Sequence, residues 1–364
     1  MKSKSVPGRV KPPAPPHAGW RFLFALCLSA LGGAVFAWAA MPLPWLLGAM
    51  TATMLAALLR LPVHAPAAIR PYVVTVIGVM LGSGFTPALL GHLGSWALSL
   101  LFVGLYLIVS GLIVVPYYRI LGGQDRATAY FSGMPGGLSE MMIIGRDMGG
   151  DDRKIVLAHT ARIFLCVCLV AFWFRVFGGL EAQGAGGRLG IAFAQIPPHE
   201  LVLLALAGVA GFVLGRRLRI PAPTMIGPML VSAALHMGGL VVSPPPSELV
   251  IAAQVILGTI VGVRFLGAAP GEVLRALALG LGATLIMIGV SLGFALGLER
   301  LIGQGFVQIL LGFAPGGFTE MSLIALALQA DVAYVATHHM VRIILVILLA
   351  PLIFALWRGK TPEV

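Results

Sequence analysis

The apolar positions of this chain fall into long blocks with polar residues gathered between them. Six blocks lie near 21–40, 43–59, 71–90, 95–117, 127–145 and 155–176, and six more near 200–215, 221–240, 249–266, 276–298, 303–326 and 333–357. Each reads as an apolar helix, and a bilayer crossing needs about 20 such residues. The run from Pro71 to Tyr118 contains no Asp, Glu, Lys or Arg and is long enough for two crossings. The pattern predicts an all-α protein that spans a membrane many times. Composition agrees: of 364 residues 59% are hydrophobic and 10% charged, and the mean hydropathy is +0.99. These values exclude a soluble globular domain.

The second half repeats the first. Met41-Pro42-Leu43-Pro44-Trp45-Leu46-Leu47-Gly48 returns as Ile220-Pro221-Ala222-Pro223-Thr224-Met225-Ile226-Gly227, after which the offset settles at 180 residues. Gly78, Gly82 and Phe85 match Gly258, Gly262 and Phe265. Pro135-Gly136-Gly137-Leu138-Ser139-Glu140-Met141 matches Pro315-Gly316-Gly317-Phe318-Thr319-Glu320-Met321, and Asp151, His159 and Arg162 match Asp331, His339 and Arg342. The organisation expected is a basic, Pro-rich cytoplasmic tail (1–19), a membrane repeat (20–177), a Gly-rich linker (178–199), a second repeat (200–357) and a short cytoplasmic C-terminus (358–364).

The fifth block of each half has Pro-Gly-Gly in its middle, which should break a helix. Irregular backbone at membrane depth survives only where protein or a water-filled cavity satisfies its polar groups. Whether that block crosses decides the symmetry. If all six cross, the repeats are parallel, with 14 Lys and Arg inside and 8 outside. If the fifth enters and leaves on one side, each half crosses five times and the repeats are inverted, with 19 inside and only Arg175, Arg188 and Arg300 outside. The positive-inside rule favours the inverted arrangement. The net charge of +11 is then mostly a record of threading rather than a nucleic-acid patch.

Candidate chemistry lies in the charges that threading leaves over. Glu140 and Glu320 sit inside apolar blocks, where a carboxylate is costly and is by default functional. The alternative is structural, since each lies in the first turn after the break, where it can cap free amides. Pro135, Gly136 and Gly137, with Pro315, Gly316 and Gly317, supply unpaired backbone amides and carbonyls of the kind that broken transporter helices present to ions. Ser139 and Thr319 each add a hydroxyl. His159 with Arg162, and His339 with Arg342, share one face of the sixth block at i, i+3 spacing. An arginine this deep needs a carboxylate, and Glu140 and Glu320 are the ones expected, either as structural partners or with the guanidinium free to bind an anion. The histidines read as packing residues, no metal set is legible, and Cys27, Cys166 and Cys168 form no CxxC pattern. No Walker A pattern, nucleophile triad or DNA-binding helix is legible either. No cofactor and no enzymatic activity are expected.

The paired Pro-Gly-Gly-x-Ser/Thr-Glu-Met motifs and the duplicated Pro-x-Pro-x-x-x-Gly entries resemble the AbrB family of duplicated bacterial inner-membrane proteins, over essentially the whole chain from Trp20. Members have been labelled regulators of gene expression and, loosely, ammonia monooxygenases. No cluster of His, Cys or carboxylates here offers a copper or iron site for the second label. A soluble DNA-binding protein shares the family's name, and nothing in this chain is similar to it. At fold level the chain also looks like cation/proton antiporters and bile-acid-type sodium symporters, which have inverted five-helix units with a discontinuous helix in each. Glu140 and Glu320 stand where that resemblance implies an amide or smaller polar residue, which points to protons rather than sodium. The function expected is secondary transport of a small anionic metabolite coupled to protons or cations, with a membrane-embedded regulator or sensor as the alternative. The partners expected are the lipid bilayer, a small-molecule or ion substrate and a second copy of the chain in a homodimer, with no nucleic acid.

Overall fold

A computed structural model describes residues 17–85, 93–177, 190–220 and 222–358. The expected tail up to Pro16, most of the linker, Pro221 and the chain beyond Arg358 lie outside the described residues. The first half forms α1 (Ala18–Trp38), α2 (Pro44–Leu58), α3 (Arg70–Gly82), α4 (Leu93–Ile120), α5 (Arg126–Gly133), α6 (Leu138–Asp147) and α7 (Asp152–Phe177). The second forms α8 (Pro198–Arg217), α9 (Pro223–Met237), α10 (Ser247–Gly262), α11 (Pro270–Ile302), α12 (Phe306–Phe313), α13 (Phe318–Ala327) and α14 (Val332–Arg358). The fold is all-α, and among the described residues seven helices are long and apolar enough to cross a membrane: α1, α4, α7, α8, α10 with its short extension to Phe265, α11 and α14. α2, α3 with the turn before it, and α13 are shorter apolar helices, and α5, α6, α9 and α12 are further short helices in the remaining blocks.

The sequence repeat reappears as paired helix contacts. The first three helices of both halves pack together, α1 on α2 and α8 on α9, while α3 crosses to α9 and α10 crosses to α2. The remaining helices form a second group in which α11 packs on α7 and α4, and α14 packs on α4 and α12. Each group is therefore built from both halves, and neither half buries its helices alone. Small residues permit this. Gly78 and Gly82 of α3 lie against the Met225 and Met229 carbonyls of α9, and Gly258 and Gly262 of α10 lie against the Leu46 and Met50 carbonyls of α2. Lipid gives helices no hydrophobic reason to associate, so close backbone approach and hydrogen bonds carry the packing. The Ser29 and Thr259 hydroxyls meet at 2.7 Å between α1 and α10. Ser232 of α9 donates to the Val79 carbonyl of α3 at 2.7 Å, and Thr75 donates to the Thr224 carbonyl at 3.0 Å.

The fifth block of each half is broken where Pro-Gly-Gly predicts. The first half-helix ends at Gly133 or Phe313, extended residues follow, and the second half-helix starts at Leu138 or Phe318. The two pieces then fold back on one another. The Asp151 amide, just past α6, donates to Thr128 Oγ1 in the first turn of α5 at 2.8 Å. Its counterpart 180 residues on, the Asp331 amide, donates to Gln308 Oε1 of α12 at 3.4 Å. Each broken block is thus a helical hairpin whose two outer ends meet.

Candidate functional site

A helix that stops in mid-block leaves carbonyls at its end without intrahelical partners, and buried carbonyls must find donors elsewhere. In the first half they find α7. His159 Nε2 donates to the Phe131 carbonyl at 2.9 Å, and Arg162 donates from Nη1 to the Met134 carbonyl at 3.0 Å and from Nη2 to the Gly136 carbonyl at 3.4 Å. In the second half α14 repeats the arrangement. His339 Nε2 donates to the Leu311 carbonyl at 2.9 Å, and Arg342 donates from Nη1 to the Ala314 carbonyl and from Nη2 to the Gly316 carbonyl, the latter at 2.9 Å. The i, i+3 spacing places imidazole and guanidinium on one face, so a single turn of α7 or α14 satisfies the end of a neighbouring half-helix. A cation there also complements the negative end of that helix. The second copy is locked more tightly, because Arg342 Nη2 also lies 3.0 Å from His339 Nδ1. That contact makes Nδ1 the acceptor and leaves Nε2–H to donate to Leu311.

The glutamates occupy the opposite ends of the breaks. Glu140 and Glu320 lie in the first turn of α6 and α13, and each carboxylate folds back over Gly137 or Gly317, where a side chain on the glycine would collide with it. A negative charge at a helix N-terminus complements the free amides there. The expected Arg–Glu pairing is therefore replaced by a division of labour in which Arg and His hold the carbonyl end of each break and Glu covers the amide end. Pro135, Gly136 and Gly137, and likewise Pro315, Gly316 and Gly317, run between these two ends.

The copies differ in burial. Ser139 and Glu140 are exposed, whereas Thr319 and Glu320 are 6% and 7% exposed. Thr319 Oγ1 donates to Met225 Sδ of α9 at 3.3 Å, and α13 packs on α3. Glu320 also lies within electrostatic reach of Arg264 and Arg70. Comparing the halves passes over Arg264, because Gly84 stands at the equivalent position, and the charge pattern assigns both arginines to cytoplasmic loops. Tyr106 and Tyr118 of α4 are passed over for the same reason, with Ile286 and Leu298 as their counterparts. Both lie within electrostatic reach of Arg162.

Comparison with known proteins places these features in a family. Residues 45–358 match the family described as transition state regulatory protein AbrB. The chain is 26% identical to the uncharacterised protein YhjN of Bacillus subtilis strain 168 over 352 residues, covering 90% of this chain and 91% of the relative. It is 27% identical to a protein of Escherichia coli strain K12 whose name proposes a regulator, AbrB, over 316 residues, covering 86% and 89%. Neither relative is named as an antiporter or a symporter. With most of its length matched and its helices long enough to span a bilayer several times, the chain belongs to the AbrB family of membrane proteins.

Proposed function

We propose that the protein is a multi-pass protein of the bacterial inner membrane that influences gene expression indirectly, by binding a small solute at its two interrupted helices. The observation that carries this is the duplicated break, with Arg and His on one end and Glu on the other, which leaves Pro-Gly-Gly backbone between two half-helices in each half. The family description and the name of the Escherichia coli relative support the regulatory part. The meeting ends of the hairpins support an inverted threading with five crossings per half, and the distribution of Lys and Arg supports cytoplasmic termini. The protein catalyses no reaction and holds no cofactor in this proposal. Transcript profiling of a deletion strain tests it: a changed set of transcripts should be restored by the native protein and not by Glu320→Gln. Unchanged transcripts on deletion would end the regulatory proposal.

Secondary transport through the same site is the second reading, favoured by the unequal burial of Glu140 and Glu320. Two equivalent sites, one open and one closed, are what alternating access through inverted repeats requires of a single state. Flux in proteoliposomes that Glu140→Gln or Glu320→Gln abolishes would establish transport. Binding without flux would leave the sensor.

A further inference from the structure

α4 and α14 run side by side in parallel. Trp96 meets Tyr334 edge-on with ring centroids 5.6 Å apart, and one turn further along both helices Ser99 Oγ lies 2.8 Å from His338 Nε2. Beyond these contacts the helices part around a groove of 470 Å³, lined from Gly104 to Pro116 on α4 and from Leu345 to Trp357 on α14. Tyr130 of α5 and Met134, the first residue of the break, complete the lining. The rim residues Ile108, Leu112 and Ile353 are exposed. Since α4 and α14 are both long and apolar enough to cross a membrane, the groove opens sideways towards lipid.

The lining excludes a polar solute. It has no charged, amide, serine or threonine side chain, and the Tyr130 hydroxyl already donates to the Ala350 carbonyl at 3.0 Å. Each lining stretch rises about 18 Å at a helical rise of about 1.5 Å per residue. That is close to one leaflet of a hydrocarbon core about 30 Å thick. An extended alkyl chain of one leaflet has this length and this chemistry.

One end of the groove is basic. A turn beyond the lining residues Val115 and Pro116 comes Arg119, in the last turn of α4, and a turn before Tyr130 comes Arg126, the first residue of α5. Both arginines therefore continue groove-lining faces at i, i+4 or i, i+3 spacing. Both are exposed, and neither side chain has a salt bridge or hydrogen bond among the described residues. The neighbouring acid, Asp125, is engaged by the Thr128 amide and hydroxyl. The threading that the positive-inside rule favours puts this end at the cytoplasmic face. Two free arginines at the end of a leaflet-length apolar groove match a phosphate above an acyl chain.

We infer that this groove binds one anionic phospholipid of the cytoplasmic leaflet, with an acyl chain between α4 and α14 and the headgroup at Arg119 and Arg126. The site is independent of the solute proposed at the interrupted helices, and its acyl chain lies against Met134, whose carbonyl Arg162 holds. Native mass spectrometry of the full chain, stripped of lipid and offered phosphatidylglycerol or phosphatidylcholine with the same oleoyl chains, tests it. One phosphatidylglycerol should be retained in preference to phosphatidylcholine. Arg119→Gln combined with Arg126→Gln should weaken phosphatidylglycerol retention roughly thirtyfold, as the attraction of two arginines to an anionic lipid surface implies, and phosphatidylcholine retention much less. A side chain at Gly104 meets open space, so Gly104→Leu fills the deep end of the groove without disturbing the helix and should weaken retention of both lipids. Equal retention of the two lipids, or phosphatidylglycerol retention that both variants leave unchanged, would overturn the site. A lipid-free dimer that Leu112→Arg dissociates would assign the groove to a second copy of the chain and overturn it as well.

Discussion

Arg342 on α14 donates to the carbonyl of Gly316 at 2.9 Å, inside the break between α12 and α13. Arg162 makes the equivalent contact with Gly136 at the same 26-residue separation. Each half thus holds its own broken helix open from a single turn of the following helix. The breaks persist because their buried backbone polar groups have partners, as buried irregular chain requires.

Removing that support should be costly. Arg342→Gln leaves the Ala314 and Gly316 carbonyls buried without their charged donor, and thermal unfolding in detergent should show a loss of about 3 kcal/mol. Arg342→Lys keeps the charge but not the fork, so about half of that loss should return. Equal stability of all three proteins would mean that the carbonyls are satisfied in another way.

The glutamates should be unequal. Glu320 is buried near Arg264 and Arg70, while Glu140 is exposed. Glu320→Gln should therefore destabilise more than Glu140→Gln, by about 1 to 2 kcal/mol, since a charge at a helix end is worth most where it is buried. Pairing each variant with Arg264→Ala separates the effects, because only the Glu320 difference should shrink in that background.

Helix packing between the halves rests on missing side chains. Gly258→Ala would press a methyl group into the Leu46 carbonyl of α2 and should cost about 1 to 3 kcal/mol. Gly289→Ala in α11 meets open space and should be neutral or stabilising by up to about 1 kcal/mol, as helix propensity dictates. Similar unfolding temperatures for the two variants would contradict the swapped packing of α10 on α2.

The Ser29–Thr259 contact joins helices from different halves. A double-mutant cycle with Ser29→Ala and Thr259→Ala should give a coupling of about 0.6 kcal/mol, the average for interhelical hydrogen bonds in membranes. A value near zero would show that the close helix approach alone holds α1 to α10.

Much of this architecture is legible in the sequence because backbone chemistry announces itself. Pro135-Gly136-Gly137 cannot continue a helix, and its return 180 residues later fixes both breaks and the equivalence of the halves. The partner of a side chain is harder to read. Arg162 and Arg342 suggest a carboxylate, since Glu140 and Glu320 are the complementary charges visible in the neighbouring blocks, yet their partners are carbonyls, which every residue carries and no sequence displays. The spacing of Gly78 and Gly82 announces a close neighbour and not that the neighbour is α9 of the other half. Tyr106, Tyr118 and Arg264 escape because each occurs in one half only, so a search for duplicated residues passes over them.

The proposed function depends most on the two hairpins entering the membrane from opposite faces. Side-specific labelling of single cysteines with an impermeant thiol reagent, in a background of Cys27→Ser, Cys166→Ala and Cys168→Ala, measures this directly. Asp147 and Ala327 end α6 and α13 at equivalent positions. The predicted result is that Asp147→Cys is labelled only from the cytoplasmic face and Ala327→Cys only from the opposite face. Labelling of both from the same face would contradict inverted repeats, because that is the result when all six blocks of each half cross.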